Sequence, residues 1–143
     1  MTGHNGKFLP VPRPETEAWW ENCRNHKLTL QHCSDCGEFQ FYPRIICAGC
    51  MSGELEWVES AGRGTVSTYT VCRLPVAEAY AGDVPYVVAL IRLEEGPVMM
   101  SNVVDCDPES VTTGMPVEVA FQKWSETITM PQFKPVLKER LND

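Results

Sequence analysis

The chain has 143 residues, 12 Lys+Arg and 19 Asp+Glu, and so a formal charge of -7. That length suits one domain, or one domain with a small appendage. With 43% apolar and 22% charged residues it is globular rather than disordered. The acidic balance opposes nucleic-acid binding, which needs a basic face. No apolar run approaches the length of a membrane span. The first twenty residues, MTGHNGKFLPVPRPETEAWW, lack the apolar core of a secretion signal, so a cytoplasmic location is the expectation.

Residues 1–13, with Gly3, Gly6, Pro10 and Pro12, read as a flexible or extended arm. Pro14 is suited to open a helix, with Glu15 and Glu17 in its first turn and His26 and Lys27 at its far end. Ala18, Trp19, Trp20 and Cys23 give that helix only part of an apolar stripe. The two tryptophans stand about 100° apart on a helix, so one or both are expected outside a small local core.

Seven cysteines in a chain without a signal point to a metal before a disulfide. Cys33 and Cys36 form one C-x-x-C pair, Cys47 and Cys50 another, with ten residues between the pairs. Two such knuckles can bring four thiolates to one tetrahedral point, and a thiolate set of this kind favours zinc. Four thiolates and one dication change the formal charge of -7 by -2, to about -9. Four protein ligands close the coordination sphere, so the zinc is expected to be structural. Gly37 after Cys36 also suits a rubredoxin-type iron site, from which Met51 after Cys50 departs.

Residues 28–31 and 39–42 flank the first knuckle and predict a short hairpin, and residues 55–60 are expected to leave the ribbon. SAGRG, with Gly62 and Gly64, reads as a turn and a domain boundary. Residues 14–61 are thus expected to form a helix plus zinc ribbon, 62–135 a barrel, and 136–143 a C-terminal tail.

The second half reads as all-β. Residues 65–74 are rich in Thr, Val and Tyr, with Val66, Cys72 and Leu74 on one face. Residues 86–93 are nearly continuously apolar and predict a strand buried on both faces. Glu95-Gly96-Pro97 turns the chain into a hairpin with residues 98–104. Asp107-Pro108-Glu109 starts one helical turn. Val117, Val119 and Phe121 alternate with polar or small residues in a half-exposed strand, and a fifth strand follows over 127–133, interrupted at Pro131. The fold class is mainly β: an N-terminal helix and four-Cys ribbon, then a five-stranded barrel of the OB type.

The composite order of the helix, LQHCSDCGEFQFYPRIICAGC, LEWVESAGRGTV, VPYVVALIRLEEGP and GMPVEVAF resembles the acyl-CoA-associated proteins that join a rubredoxin-like zinc ribbon to an OB fold. That family was long catalogued as a domain of unknown function. The resemblance covers residues 14–135, and Ala48 stands where the family usually has proline. It implies a non-catalytic partner of thiolase-fold enzymes, which cleave or join acyl-CoA carbon–carbon bonds. The preferred setting is thiolysis in β-oxidation-type degradation, as by a benzoylsuccinyl-CoA thiolase, with aldol cleavage as the other. It also implies a heterotetramer of two plus two, with acyl-CoA at or near the interface.

The residues offer little independent catalysis. His4, His26 and His32 stand in no evident nucleophile–base arrangement, and no nucleophile elbow, Walker A loop or dinucleotide fingerprint is present. Cys72 and Cys106 fall on predicted strands or their ends, where a small apolar residue is the ordinary explanation. Three functions from different classes follow: an accessory acyl-CoA subunit, a nucleic-acid-binding ribbon/OB protein, and a rubredoxin-like electron carrier. The charge opposes the second. For the first, Trp19, Trp20, Phe39, Phe41 and Tyr42 are the expected docking surface, because so small a ribbon cannot bury five aromatic rings. Arg63 and Arg73 are the candidate contacts to a CoA phosphate.

Overall fold

The computed structural model describes residues 6–137. In chain order it contains helix α1 (Glu17–Arg24), strands β1 (Thr29–Cys33), β2 (Phe39–Gln40) and β3 (Leu55–Glu59), then β4 (Arg63–Cys72), β5 (Tyr86–Leu93), β6 (Val98–Val103), β7 (Pro116–Lys123) and β8 (Thr129–Pro135). Short 3-10 turns lie at Glu78–Tyr80 and Pro108–Ser110. His4 lies outside the described residues.

The helix is shorter than Pro14 suggests. The Arg13 carbonyl accepts the amides of both Thr16 and Glu17, and the Arg13 amide donates to the Thr16 hydroxyl, so residues 13–16 form a turn ahead of α1. At the other end His26 takes φ 58°, its amide bonding the Cys23 carbonyl while the Lys27 amide bonds that of Asn22. This is a Schellman stop, with histidine in the left-handed position glycine usually holds. His26 and Lys27 therefore lie beyond the helix.

β1 is the centre of a three-stranded antiparallel sheet in the order β2-β1-β3. The predicted hairpin exists, but only Gln31↔Gln40 and His32↔Phe39 pair, leaving Phe41 and Tyr42 outside the strand. β3 does not leave the ribbon. It pairs with β1 from Thr29↔Glu59 to Cys33↔Leu55. The buried Gln31 amide ties the layer together, donating to the Arg44 carbonyl and accepting from the Gln40 side chain and the Arg44 amide.

The second half closes as a barrel, β4-β5-β6-β8-β7, with β7 returning to β4 and one parallel contact at Val103↔Phe133. The five strands and the helical turn before the fourth are those of the expected OB-type barrel. The turn is capped by Asp107, whose carboxylate accepts the Glu109 amide. β5 is not buried on both faces. Val87, Ala89, Ile91 and Leu93 alternate into the core, and Arg92 faces solvent. Leu74 also departs from the reading: it lies past the end of β4 and is 84% exposed. Pro131 does not interrupt β8, since it pairs with Phe121 inside the ladder.

The ribbon and barrel share one apolar core, in which Trp19, Cys23, Leu28 and Leu30 meet Val66, Ile91, Val117 and Phe133. The joint between them is close-packed, not a loose tether. A Cβ on Gly62, which has φ +74°, would stand 2.7 Å from Val119 Cγ1, and one on Gly64 2.4 Å from the Arg92 carbonyl oxygen. Only glycine permits that approach. The Glu95 carboxylate locks the segment from outside, accepting the Ser60 hydroxyl at 2.9 Å and the Ala61 amide at 2.8 Å. The arm too is more ordered than its composition suggests: the Phe8 amide donates to Tyr80 and Lys7 pairs with Asp83.

Candidate metal centre and docking cleft

Each half of the ribbon makes the same local turn. The Gly37 amide donates to the Cys33 carbonyl at 2.8 Å, and the Met51 amide donates to that of Cys47 at 2.8 Å. Both residues are left-handed, Gly37 at φ 78° and Met51 at φ 66°. Met51 thus adopts the glycine geometry despite its side chain, which points into solvent and is 75% exposed. The departure seen in the sequence leaves the second knuckle's backbone unchanged.

These turns aim Cys33, Cys36, Cys47 and Cys50 at one point, with all four sulfurs within 4.8 Å of one another. Cys33–Cys50 and Cys36–Cys47 each stand 3.6 Å apart. A tetrahedral zinc with Zn–S bonds of about 2.3 Å requires edges of about 3.8 Å, so the donor set and spacing fit it. Cys33 and Cys47 are buried and Cys36 and Cys50 exposed, which places the centre at the rim of the ribbon.

The thiols also need a cation. Amides of Cys50 and Gly49 bond to Cys47 and lower its pKa to about 7. An amide bond from Glu38 draws Cys36 down, but desolvation and the neighbouring thiols outweigh it and push Cys36 up to about 12. Four thiolates cannot gather at neutral pH without a dication to offset their repulsion. Zinc binding must therefore release protons, and acid must weaken it. The chain carries one structural zinc, held by a cluster with no ligand position left over.

The five aromatic residues divide. Trp19 is only 6% exposed, and its indole N–H donates to the Thr29 carbonyl at 3.1 Å. It belongs to the core and corrects the expectation of a surface anchor, because its polar edge is satisfied inside the fold. Trp20 packs edge-on against it at 4.6 Å, and Phe41 at 5.6 Å. Phe39 packs on His32 in the ribbon instead. Trp20, Phe41 and the half-exposed Tyr42 line an open cleft of about 430 Å³, with Trp19 at its floor. The far wall comes from the barrel: Met99 and Met100 of β6, Met130 of β8, and Trp124. The Met100 amide donates to the Tyr42 hydroxyl at 3.3 Å, stitching the walls together. Sequence reasoning missed the methionines, since each half of the cleft lies on a different unit. Met100, exposed opposite the buried Met99 in the same strand, is the one local signal.

Arg63 and Arg73 do not converge. Arg63 opens the ten-residue β4 and Arg73 follows its last residue, so the strand's length of about 30 Å lies between them. Arg63 pairs with Glu94 and Arg73 with Glu109. The described histidines are engaged elsewhere, His26 stacked on Phe121 and His32 bonded to Glu56. Burial pushes the Cys23 thiol up to about 12, so it stays protonated and packs as an apolar group.

A four-thiol ribbon fused through a rigid glycine joint to a closed five-stranded barrel defines a compact zinc-ribbon/OB protein. Its sequence matches the profile "ChsH2, rubredoxin-like zinc ribbon domain" over residues 20–56 and "ChsH2, C-terminal OB-fold domain" over residues 57–122. It is 40% identical over 114 residues to a "DUF35 domain-containing scaffold protein" of Methanothermobacter thermautotrophicus, covering 78% of this chain and 85% of that protein. It is 33% identical to a "probable enoyl-CoA hydratase alpha subunit" of Thermomonospora curvata, covering 90% of this chain but only 41% of that longer protein. The solved structure titled "Ltp2-ChsH2(DUF35) aldolase" superposes with a TM-score of 0.82 at 32% identity, over 90% of this chain and 100% of that one. The chain belongs to the DUF35 family.

Proposed function

We propose that this chain is a non-catalytic accessory subunit that docks on a thiolase-fold enzyme and supports carbon–carbon bond cleavage or formation on an acyl-CoA. The observation that carries the reading is the match, over 90% of this chain and 100% of the other, to a chain of the solved Ltp2-ChsH2(DUF35) aldolase. Relatives named as scaffold proteins and as a hydratase alpha subunit support the same role beside a catalytic partner. Within this chain, the cleft walled by Trp20, Phe41, Tyr42 and Met100 is the docking face, because its lining is uncharged and rich in the aromatic and methionine side chains enriched at interface cores. Thiolysis and aldol cleavage both suit such a partner, and the likeness to the Ltp2-ChsH2(DUF35) aldolase favours the second. A two-plus-two assembly follows if the enzyme is itself a two-fold dimer.

The test is co-expression with the enzyme encoded beside this chain, then size-exclusion chromatography and acyl-CoA cleavage assays with and without it. Co-elution, and turnover that requires both chains, are the expected results. Trp20→Ala should weaken assembly by about 2 kcal/mol or more. Robust turnover by this chain alone, or an unchanged complex in Trp20→Ala with the fold intact, overturns the reading.

A further inference from the structure

A second cavity, of about 550 Å³, opens at the barrel end beside the N-terminal arm. One wall holds an unusual guest. The Lys7 ammonium lies 5.6 Å from the centre of the Tyr80 ring and 5.4 Å from that of Trp124. It also meets the Asp83 carboxylate at 2.5 Å, and its side chain is only 11% exposed. An ion pair that merely pins an arm to a surface leaves its lysine in water and contributes little. Here the ammonium has been taken from water and placed against two ring faces and a carboxylate, the chemistry that recognises organic ammonium ions.

The cage walls themselves lie outside the arm, although the arm's Phe8 also touches Tyr80, its amide donating to the phenol hydroxyl at 3.1 Å and its ring centre 5.9 Å away. Tyr80 stands in the 3-10 turn between β4 and β5, and Trp124 follows β7. The Trp124 indole is oriented by its bond to Gln122 Oε1 at 2.9 Å. Beyond Lys7 the cavity continues past Asp105 and the amide side chains of Asn102 and Gln132. Among the described residues its charged lining is one cation against two carboxylates, a balance that favours a further cation over an anion.

We propose that Tyr80, Trp124 and Asp83 form a binding site for alkylammonium groups, which the arm's own Lys7 fills as an internal ligand. An outside amine enters when the arm lifts, so its apparent affinity is reduced by the small fraction of chains with the arm away. The site is separate from the zinc, and it shares Trp124 and Asn102 with the cleft between ribbon and barrel.

The experiment uses the full zinc-loaded chain and n-butylammonium as probe, with 1-butanol as the uncharged control, read by calorimetry and by the Trp124 indole NMR signal. Lys7→Ala empties the cage from the arm side. It should bind butylammonium at least tenfold more tightly than the wild type, with no gain for butanol. Asp83→Asn or Trp124→Ala added to Lys7→Ala should abolish the gain, with zinc content and thermal melting as fold controls. A gain of less than twofold in Lys7→Ala, an equal gain for butanol, or a gain that survives the loss of both Asp83 and Trp124 overturns the proposal. Repeating the titration with the partner enzyme separates the two sources of such a group. Butylammonium bound equally in the complex identifies a small free amine, and its displacement by the partner identifies a lysine of that protein.

Discussion

The ribbon gathers a two-residue strand, two five-residue strands and two tight turns around four thiols, whereas the barrel closes five longer strands around Val87, Ile91, Val117 and Phe133. The first has almost no interior of its own, and its order comes from metal–sulfur bonds. The second is held by a continuous ladder and by apolar burial. The two nevertheless behave as one body, because Trp19 and Leu30 from the ribbon side complete the barrel's core and the glycine joint admits no slack. In the proposed accessory role, such a rigid joint would hold a partner in fixed register. Substitutions in each region, and in the joint between them, can test how far this division holds.

The largest effect is expected at the metal. Cys36→Ser removes one of four ligands and with it much of a binding free energy on the order of 10 kcal/mol. Metal analysis should show zinc lost, and hydrogen exchange should show β1–β3 exposed while β5 and β6 stay protected. Exchange that rises equally in ribbon and barrel would show that the barrel has no stability without the zinc.

The matching substitution in the barrel is Phe133→Ala. Phe133 is fully buried, paired with Val119 in β7 and Val103 in β6, at the seam where the barrel closes. Its truncation should cost about 3–5 kcal/mol in denaturant unfolding. Zinc content should be retained at low denaturant, since the ligands are local to the ribbon. Loss of zinc in the folded variant would break the comparison from the other side.

What could be read from the sequence follows the same divide. The ligands were legible because C-x-x-C spacing is local and each knuckle closes within five residues. The five barrel strands were legible because turn signals such as Glu95-Gly96-Pro97 punctuate alternating apolar runs. The helix start was misplaced because Pro14 suits a turn as well as a first helical position, and the Arg13 carbonyl decides between them. Trp19 was misplaced because its burial depends on barrel residues far away in sequence. The cleft was half seen for the same reason: its methionine wall is tertiary.

Gly64 shows the gap most sharply, since the sequence reads it as part of a turn at a domain boundary and the structure places it inside β4 against the barrel. Gly64→Ala would press a methyl group against the Arg92 carbonyl and Ile91 Cγ2, which are 2.4 and 3.0 Å from the site of the new atom. The obstacle is backbone, so relief requires β4 and β5 to part. A cost of about 1–3 kcal/mol is expected, measured as a lowered unfolding midpoint. If the glycines were a loose tether, the same change would be neutral or slightly stabilising.

The smallest effect tests whether the joint is held from outside as well as packed from within. Glu95 sits in the β5–β6 turn and reaches back across the boundary, one carboxylate oxygen taking the Ser60 hydroxyl and the other the Ala61 amide. The Ser60 hydroxyl oxygen in turn accepts the Gly62 amide at 3.0 Å, so one carboxylate orders three successive residues. Glu95→Gln keeps the shape but loses the charge: its carbonyl oxygen can still accept the Ala61 amide, while its NH2 can meet Ser60 only by donating to the hydroxyl oxygen that already accepts the Gly62 amide, so both bonds lose their charge assistance. The cost should be about 1 kcal/mol, too small to unfold either region. It should appear instead as faster hydrogen exchange at Ala61 and Gly62, with zinc content and the β5–β6 amides unchanged. Unchanged exchange at those two amides would mean that the close approach of Gly62 and Gly64 to the barrel holds the joint alone, and that the carboxylate clamp contributes nothing to it.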